Sequence, residues 1–196
     1  MLALQGDVRE HLAVFASLGE PAVAVKTLAA LERVRALVIP GGESTTVMRL
    51  LDRFALAEPI IARVRGGMAL WGTCMGMIVA ARETADLEQP TLGVLDVTVR
   101  RNAFGRQLAS EEVGLTVPVL GDVPFPAVFI RAPWIERAGP GVVTLARHGG
   151  HGVFVREGRV MGTSFHPELT GDPRVHAYFV RELAGPTDRE FGVPKA

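Results

Sequence analysis

Short apolar runs alternate with segments of helical period from residue 2 to residue 81, and this alternation restricts the chain to a small set of folds. Residues 36–40 (ALVIP) and 68–72 (MALWG) are almost continuously apolar, as is typical of strands covered on both faces. Between them, residues 44–54 carry apolar side chains at helical spacing, and Ser44 is placed to cap that helix. The alternation predicts βαβ units and a mostly parallel sheet.

The pattern changes beyond residue 94, where apolar and polar residues alternate, as in Leu95, Val97 and Val99. Such alternation is typical of antiparallel or mixed strands. The sequence therefore predicts an α/β fold with a three-layer, flavodoxin-like open sheet, mostly parallel, with additional antiparallel strands. The length suits one domain, which we expect to span residues 1–196 with a loose tail at about 185–196.

Composition excludes several classes of function. The formal net charge is zero, which argues against a general electrostatic grip on nucleic acid or on an anionic membrane. No apolar stretch approaches the roughly 18 residues expected of a spanning helix. Cys74 is the single cysteine, so the chain has no internal disulfide, and a reducing cytoplasmic location is the simpler expectation.

Residues 72–76 (GTCMG) place Cys74 between two glycines at a predicted turn from strand to helix, the arrangement of a nucleophile elbow. A side chain on either glycine would crowd the neighbouring backbone of so tight a turn. The helix that follows directs its dipole at the sulfur and favours the reactive thiolate. The alternative interpretation is a buried structural cysteine in an ordinary turn.

Residues 164–169 (SFHPEL) supply a base and a group that orients it. His166 ends a predicted strand, and Glu168 lies two residues on, where extended backbone would turn both side chains to the same side. His166 is then the general base and acid, and Glu168 holds its ring. The alternative is a histidine and a proline that end a strand for structural reasons alone.

Residues 40–45 (PGGEST) are the candidate for an oxyanion hole, which attack on an amide requires. The N–H of Gly42 is expected to face the site beside the N–H of Met75. The alternative is a plain glycine turn. Residues 148–151 (HGGH) bring two histidines together, but without a third ligand they predict a hairpin turn and no metal site. His11 and His176 are placed on helices with no chemical companion.

These three motifs, in this order and spacing, resemble those of the class I, triad-type glutamine amidotransferases. Within that family, residues 4–11 (LQGDVREH), 101–107 (RNAFGRQ) and 129–133 (FIRAP) closely resemble the glutaminase subunit of pyridoxal 5′-phosphate synthase. The resemblance runs through nearly the whole chain. Met75 departs from it, because the residue after the nucleophile is usually small. We expect this change to be tolerated, since only the N–H of Met75 is needed.

The resemblance implies that the chain hydrolyses L-glutamine to glutamate and ammonia through a γ-glutamyl thioester, without a cofactor. The ammonia would pass to a (β/α)8 synthase subunit as partner. Gln5 is then expected near the contact with that partner. The glutamine contacts implied by the resemblance are Gly42, Glu43, Ser44, Arg101, Ile130 and Arg131.

Two other classes of function stay open at this point. One is a glutaminase subunit that serves another pathway, such as histidine or anthranilate synthesis, although the RNAFGRQ segment argues against it. The other is a flavodoxin-like cysteine hydrolase or chaperone, or a noncatalytic binding module with the same fold. Cysteine proteins of that kind commonly place a histidine directly after the cysteine, where this chain has Met75.

Overall fold

A computed structural model describes residues 1–86, 88–101 and 110–185 of the chain. The helices of these residues alternate with strands in the first half and return at the carboxyl end. They are α1 (Val8–Ser17), α2 (Leu28–Glu32), α3 (Ser44–Arg53), α4 (Ala57–Arg65), α5 (Met75–Ala80) and α6 (Arg174–Tyr178), which continues as a π-helical segment, Phe179–Leu183. None of the helices within the described ranges is both long and apolar enough to cross a membrane.

The strands form one large mixed sheet and one separate pair. In chain order they are β1 (Ala36–Ile39), β2 (Ala69–Thr73), β3 (Ala81–Thr84), β4 (Leu95–Arg100), β5 (Ser110–Leu115), β6 (Phe125–Ile130), β7 (Trp134–Ala138), β8 (Val143–His148), β9 (His151–Glu157) and β10 (Val160–Thr163). The large sheet has the order β1-β2-β10-β9-β7-β4-β3, with β8 beside β9, and β5 pairs with β6. The predicted fold class is confirmed.

Strands β1, β2 and β10 are neighbours and run parallel, so their carboxyl ends meet at one edge of the sheet. The glycine turn follows β1, Cys74 follows β2, and His166 lies three residues beyond β10. The N–H of Cys74 donates to the carbonyl of Thr163 at 2.7 Å. Three motifs that are far apart in sequence therefore converge because three parallel strands are adjacent.

The two faces of the sheet carry separate hydrophobic clusters. Leu37 and Ile39 of β1 pack in the cluster that includes α3 and α4, whereas Val38 between them packs on the opposite face. The strand β2 repeats the alternation with Leu70 on the first face and Trp71 on the second. Because successive side chains of a strand point to opposite faces, apolar residues at every position predict layers on both sides, and the structure has them.

Several boundaries differ from the sequence prediction. The apolar runs at residues 2–4 and 22–26, which belong to the alternation that predicts strands, form only one parallel bridge between Leu2 and Val25. The N–H of Leu2 also donates to the carbonyl of Val38. Strands β3, β5 and β7 had no clear pattern and were not predicted. Ser44 does not cap α3, because the helix begins at Ser44 and its N-cap residue is Glu43.

Two sequence expectations fall on residues that are not described. The segment 102–107 of the RNAFGRQ motif lies outside the described residues, and so does the tail from residue 186 onward. Arg101, the first residue of that motif, is described.

Candidate active site

The turn between β2 and α5 forces Cys74 into a strained backbone conformation. Its φ is 48° and its ψ is −108°, a region that costs free energy for any residue except glycine and that recurs at nucleophile elbows. A Cβ on Gly72 would overlap the backbone of Gly76, and one on Gly76 would overlap the carbonyl of Ile39. Both flanking glycines are therefore required by close backbone approach.

His166 and Glu168 form a short hydrogen bond at the same edge of the sheet. His166 Nδ1 lies 2.7 Å from Glu168 Oε1, and the two residues are 6% and 7% exposed. The backbone between them is not extended as the sequence suggested, because Pro167–Leu169 forms a 3₁₀ turn. This turn brings the carboxylate back to the ring of the residue at its start.

A second carboxylate faces the same ring nitrogen. Asp7 Oδ2, in the loop before α1, lies 3.5 Å from His166 Nδ1, too far for a strong hydrogen bond but close enough for electrostatic attraction. Burial of His166 lowers its pKa, but the contacts with Asp7, Cys74 and Glu168 outweigh burial and raise the pKa from 6.5 to about 12. The ring is therefore an imidazolium at neutral pH, held beside the sulfur of Cys74.

The glycine turn after β1 packs directly on this histidine. A Cβ on Gly41 would lie 2.5 Å from His166 Cε1 and 2.9 Å from Asp7 Oδ2. Gly42 has a φ of +154°, and a Cβ there would overlap the side-chain amide of Gln5. The same amide oxygen of Gln5 accepts a hydrogen bond of 2.9 Å from the N–H of Glu43. The side chain of Gln5 thus braces the turn that carries the candidate oxyanion donor.

A cavity of about 340 Å³ opens over Cys74 and His166. It is lined by every residue that the resemblance implied for glutamine: Gly42, Glu43, Ser44, Arg101, Ile130 and Arg131. Met75 also lines the cavity and is 2% exposed, so its side chain shapes the wall. Gln5 is not among the lining residues, but its side chain lies against Gly42 and bonds to the N–H of Glu43, both of which line the cavity.

The wall opposite the elbow is the end of β6. The carbonyl of Ile130 lies 3.9 Å from Cys74 Sγ, so it faces the space in which a substrate amide would sit. The next residue, Arg131, has a φ of +44°, a left-handed conformation that is uncommon outside glycine. Strain of this kind concentrates at binding sites.

Sequence reasoning missed the residues that hold Arg101 and Ser44. Gln89 Oε1 accepts from Ser44 Oγ at 3.1 Å and from Arg101 Nη1 at 3.4 Å. Asp86 Oδ1 accepts from the N–H of Arg101 at 3.1 Å, and Asp86 Oδ2 lies 3.6 Å from Arg101 Nε. Neither residue belongs to a motif, and nothing in the local sequence marks them.

Sequence reasoning was also wrong about His11 and His176, which do have chemical companions. His11 Nδ1 lies 2.9 Å from His176 Nε2, and His11 Nε2 lies 3.3 Å from Glu168 Oε2. One signal was present in the sequence. Asp7 and His11 are one helical turn apart, so a helix that begins at the site places both side chains on the same side.

The described residues hold one cluster suited to a metal ion, and it coincides with the catalytic candidates. Donor atoms of Asp7, His166 and Glu168 lie within 4.8 Å of one another. Nδ1 of His166 is already bonded to Glu168 and the ring is protonated, so the cluster lacks a free nitrogen ligand. His148 instead contacts Glu111 at 3.2 Å, and the HGGH segment forms the turn between β8 and β9.

Comparison with known proteins identifies relatives that match most of the chain. Residues 1–185 match the model of the SNO glutamine amidotransferase family. The chain is 54% identical over 182 residues to the pyridoxal 5′-phosphate synthase subunit PdxT of Pelotomaculum thermopropionicum, covering 93% of each chain. It is 54% identical over 189 residues to the subunit of that name from Mycolicibacterium vanbaalenii, covering 94% of this chain and 96% of the relative.

Solved structures agree with these matches. A crystal structure of a glutamine amidotransferase superposes with a TM-score of 0.88 at 50% identity, over 94% of this chain and 97% of the other. The structure of PurLQS from Thermotoga maritima superposes with a TM-score of 0.63 over 92% and 94% of the two chains, but at 14% identity. The second similarity shows the fold alone.

Proposed function

The chain belongs to the SNO glutamine amidotransferase family, and we propose that it hydrolyses L-glutamine through a triad of Cys74, His166 and Glu168. It is a glutaminase subunit of pyridoxal 5′-phosphate synthase, the enzyme named in its relatives. The observation that carries the triad is the 2.7 Å bond between His166 and Glu168, together with the strained turn at Cys74 and the cavity that Cys74 and His166 both line.

In the first half of the reaction, the thiolate of Cys74 attacks the side-chain amide carbon of glutamine. Negative charge develops on the amide oxygen, and the N–H groups of Gly42 and Met75 are the donors that we assign to it. Glu168 holds Nδ1 of His166, which leaves Nε2 to deliver its proton to the departing nitrogen. Ammonia leaves, and a γ-glutamyl thioester remains on Cys74.

In the second half, His166 is neutral and takes a proton from water, which attacks the thioester carbonyl. The C–S bond breaks and returns the pair of Cys74 thiolate and His166 imidazolium. Glutamate is released with its new carboxyl group. No step requires a cofactor, because the nucleophile, the proton carrier and the oxyanion donors all belong to the chain.

Substrate selection follows from the charged ends of glutamine. We assign the α-carboxylate to the guanidinium groups of Arg101 and Arg131, because a guanidinium pairs a carboxylate through two parallel hydrogen bonds. The carbonyl of Ile130 and the carboxylate of Glu43 suit the α-ammonium or the amide N–H groups. Ser44 lies at the amino end of α3, beside Glu43, and completes this wall of the cavity.

The partner that we propose is a (β/α)8 synthase subunit that receives the ammonia. Gln5 lies near that contact in the proposal, and its bond to the N–H of Glu43 gives docking a direct path to Gly42. Because glycine tolerates two orientations of its peptide at low cost, docking can set the oxyanion donor in its active orientation. We further propose one domain over residues 1–196, located in the cytoplasm, since a lone cysteine suits a reducing compartment.

Steady-state release of glutamate, by the chain alone and with excess synthase subunit, tests the proposal. Cys74→Ala should abolish hydrolysis and keep the fold, because it removes the nucleophile and little volume. His166→Asn should lose nearly as much, whereas Glu168→Ala should retain more, since orienting a base contributes less than being one. His151→Asn, at the start of β9, is the matched control and should keep the wild-type rate.

Activity of Cys74→Ala above a few per cent of wild type would remove the basis for the triad. If the free chain already turns over as fast as the complex, the gating by Gly42 is wrong while the triad stands. Gln5→Ala separates the gating by Gly42 from the triad, because it should lower stimulation by the synthase subunit without removing the basal rate.

A further inference from the structure

A buried pair of histidines lies behind Glu168, on the side away from His166. His11 of α1 places Nε2 at 3.3 Å from Glu168 Oε2 and at 3.2 Å from Thr73 Oγ1. Its other nitrogen, Nδ1, lies 2.9 Å from Nε2 of His176 in α6. The side chains of His11, His176 and Glu168 have no solvent exposure. The proposed reaction uses neither histidine, yet one of them contacts the triad carboxylate.

Both histidines are neutral. Burial, together with repulsion from His176 and His166, lowers the pKa of His11 well below 6.5. Burial lowers the pKa of His176 to about 3. Each ring therefore carries one N–H and one lone pair.

The surroundings decide which nitrogen of each ring carries the proton. If His11 is protonated at Nε2, it directs an N–H at the carboxylate of Glu168 and accepts at Nδ1 from the Nε2–H of His176. If His11 is instead protonated at Nδ1, it donates to Nε2 of His176, and its own Nε2 points a lone pair at a carboxylate oxygen of Glu168. This arrangement also leaves a proton on His176 Nδ1, a buried atom without a hydrogen-bond partner in the described residues. A buried unpaired N–H is costlier than a buried lone pair, so the first arrangement is favoured.

Glu168 needs such a donor. Its Oε1 is bonded to His166, but its Oε2 has no well-aligned hydrogen-bond partner in the described residues. A buried carboxylate is costly to keep ionised unless both oxygens are satisfied. His11 can supply this donor, since its Nε2 lies 3.3 Å from Glu168 Oε2, a longer approach than the 2.7 Å bond between Oε1 and His166. Such contacts are often loose without substrate and tighten in the complex.

We propose that His11 is a positioning residue of the glutaminase site. Its Nε2–H holds Oε2 of Glu168, so that Oε1 of Glu168 stays hydrogen-bonded to His166. His176 fixes the tautomer of His11, and Thr73 shares the N–H. This inference rests on the proposed triad and adds the residue that holds its carboxylate. His11 touches no substrate and acts only through Glu168.

Two substitutions at His11 separate the donor from the ring. His11→Phe keeps a ring against Trp71, which His11 meets edge to face at 5.4 Å, but has no N–H. His11→Gln keeps an amide N–H at a reach similar to that of Nε2. With excess synthase subunit, His11→Phe should lower kcat by about tenfold to a hundredfold, with KM for glutamine within about twofold. His11→Gln should stay within about threefold of wild type.

The pH profile distinguishes positioning from a purely structural role. The titratable groups that act on His166 are Asp7, Cys74 and Glu168, and those that act on His11 are His176, His166 and the terminal amine of Met1. Loss of the donor loosens Glu168 and with it the hydrogen bond that holds the ring of His166, so the acidic limb of kcat/KM should shift in His11→Phe and stay in place in His11→Gln. A merely structural defect would lower active enzyme without moving the limb.

Wild-type kcat and an unmoved limb in a folded His11→Phe variant would overturn the inference, as would equal losses in both variants. If His11→Phe fails to fold, nitrogen-15 NMR of histidine-labelled wild type decides instead. The inference expects His11 neutral and protonated at Nε2 at pH 7, and protonation at Nδ1 refutes it. Residual activity of Cys74→Ala tests the triad itself, so failure there is distinguishable from failure of the role of His11.

Discussion

Asp7 should partly replace Glu168 when Glu168 is removed. Both carboxylates face Nδ1 of His166, at 2.7 Å and 3.5 Å. For unit charges 3.5 Å apart, Coulomb's law gives about 1.2 kcal/mol in water and about 5 kcal/mol at an effective dielectric constant of 20. The side chain of Asp7 is 39% exposed, so solvent screening favours the low end, about 1 to 2 kcal/mol.

That range sets the expected coupling between the two carboxylates. At 1.36 kcal/mol for each factor of ten, Asp7 contributes about fivefold to thirtyfold to the rate when it alone stabilises the imidazolium. Asp7→Asn should therefore cost about fivefold to thirtyfold in a Glu168→Ala background. In the wild-type background, where Glu168 already holds the ring, it should cost only about twofold to threefold.

A double-mutant cycle on kcat/KM for glutamine, measured with excess synthase subunit, provides the test. The four proteins are wild type, Asp7→Asn, Glu168→Ala and the double variant. Raising the salt concentration should shrink the Asp7 effect, because an exposed charge is screened. Equal effects of Asp7→Asn in both backgrounds would refute the idea that the two carboxylates serve the same nitrogen.

Four further outcomes follow from the geometry. Gly76→Ala should lower Tm by about 4 to 10 °C, because the added methyl overlaps the backbone of β1, whereas Gly171→Ala, which meets no atom within 4 Å, should leave Tm unchanged in the same calorimetric scan. Gln89→Ala should raise KM for glutamine several-fold with little change in kcat, since it frees two side chains of the cavity wall; an unchanged KM contradicts that role. Because the folded pKa of His176 is lowered to about 3, the unfolded chain binds more protons between pH 6.5 and 3, so stability falls as pH drops through that window. His176→Phe should flatten this fall in urea unfolding, and an unchanged slope would show that His176 does not titrate on unfolding. Gln5→Ala should reduce activation by the synthase subunit, and full activation would exclude the brace on Glu43 as the path.

The fold class and the order of the motifs were predictable because both depend on local patterns. Continuous apolar strands between helical segments determine a sheet covered on both faces, and β1 and β2 follow that pattern closely. The strands β3, β5 and β7 were missed, since their residues alternate weakly and their pairing is set by neighbours distant in sequence. Ser44 was misassigned as a cap because the end of a helix depends on backbone geometry that composition does not fix.

The sequence by itself determined the turn that carries Cys74, the nucleophile that we propose. Gly72, Cys74 and Gly76 lie within one five-residue segment, and the steric reason for two glycines around a strained residue acts over a few bonds. His166 and Glu168 could be predicted as a pair for the same reason, since they are two residues apart, although the 3₁₀ turn at Pro167–Leu169 could not.

Only the tertiary structure decided the surroundings of these groups. Apart from the one-turn spacing of Asp7 and His11, the contacts of Asp7 with His166, of His11 with Glu168 and of Gln89 with Arg101 and Ser44 leave no mark on spacing along the chain. They exist because β10 lies beside β2, and because α1, α6 and the loop before β4 pack around the edge where those strands end. Burial there also sets the charges, since it makes His11 and His176 neutral while the carboxylates keep His166 protonated.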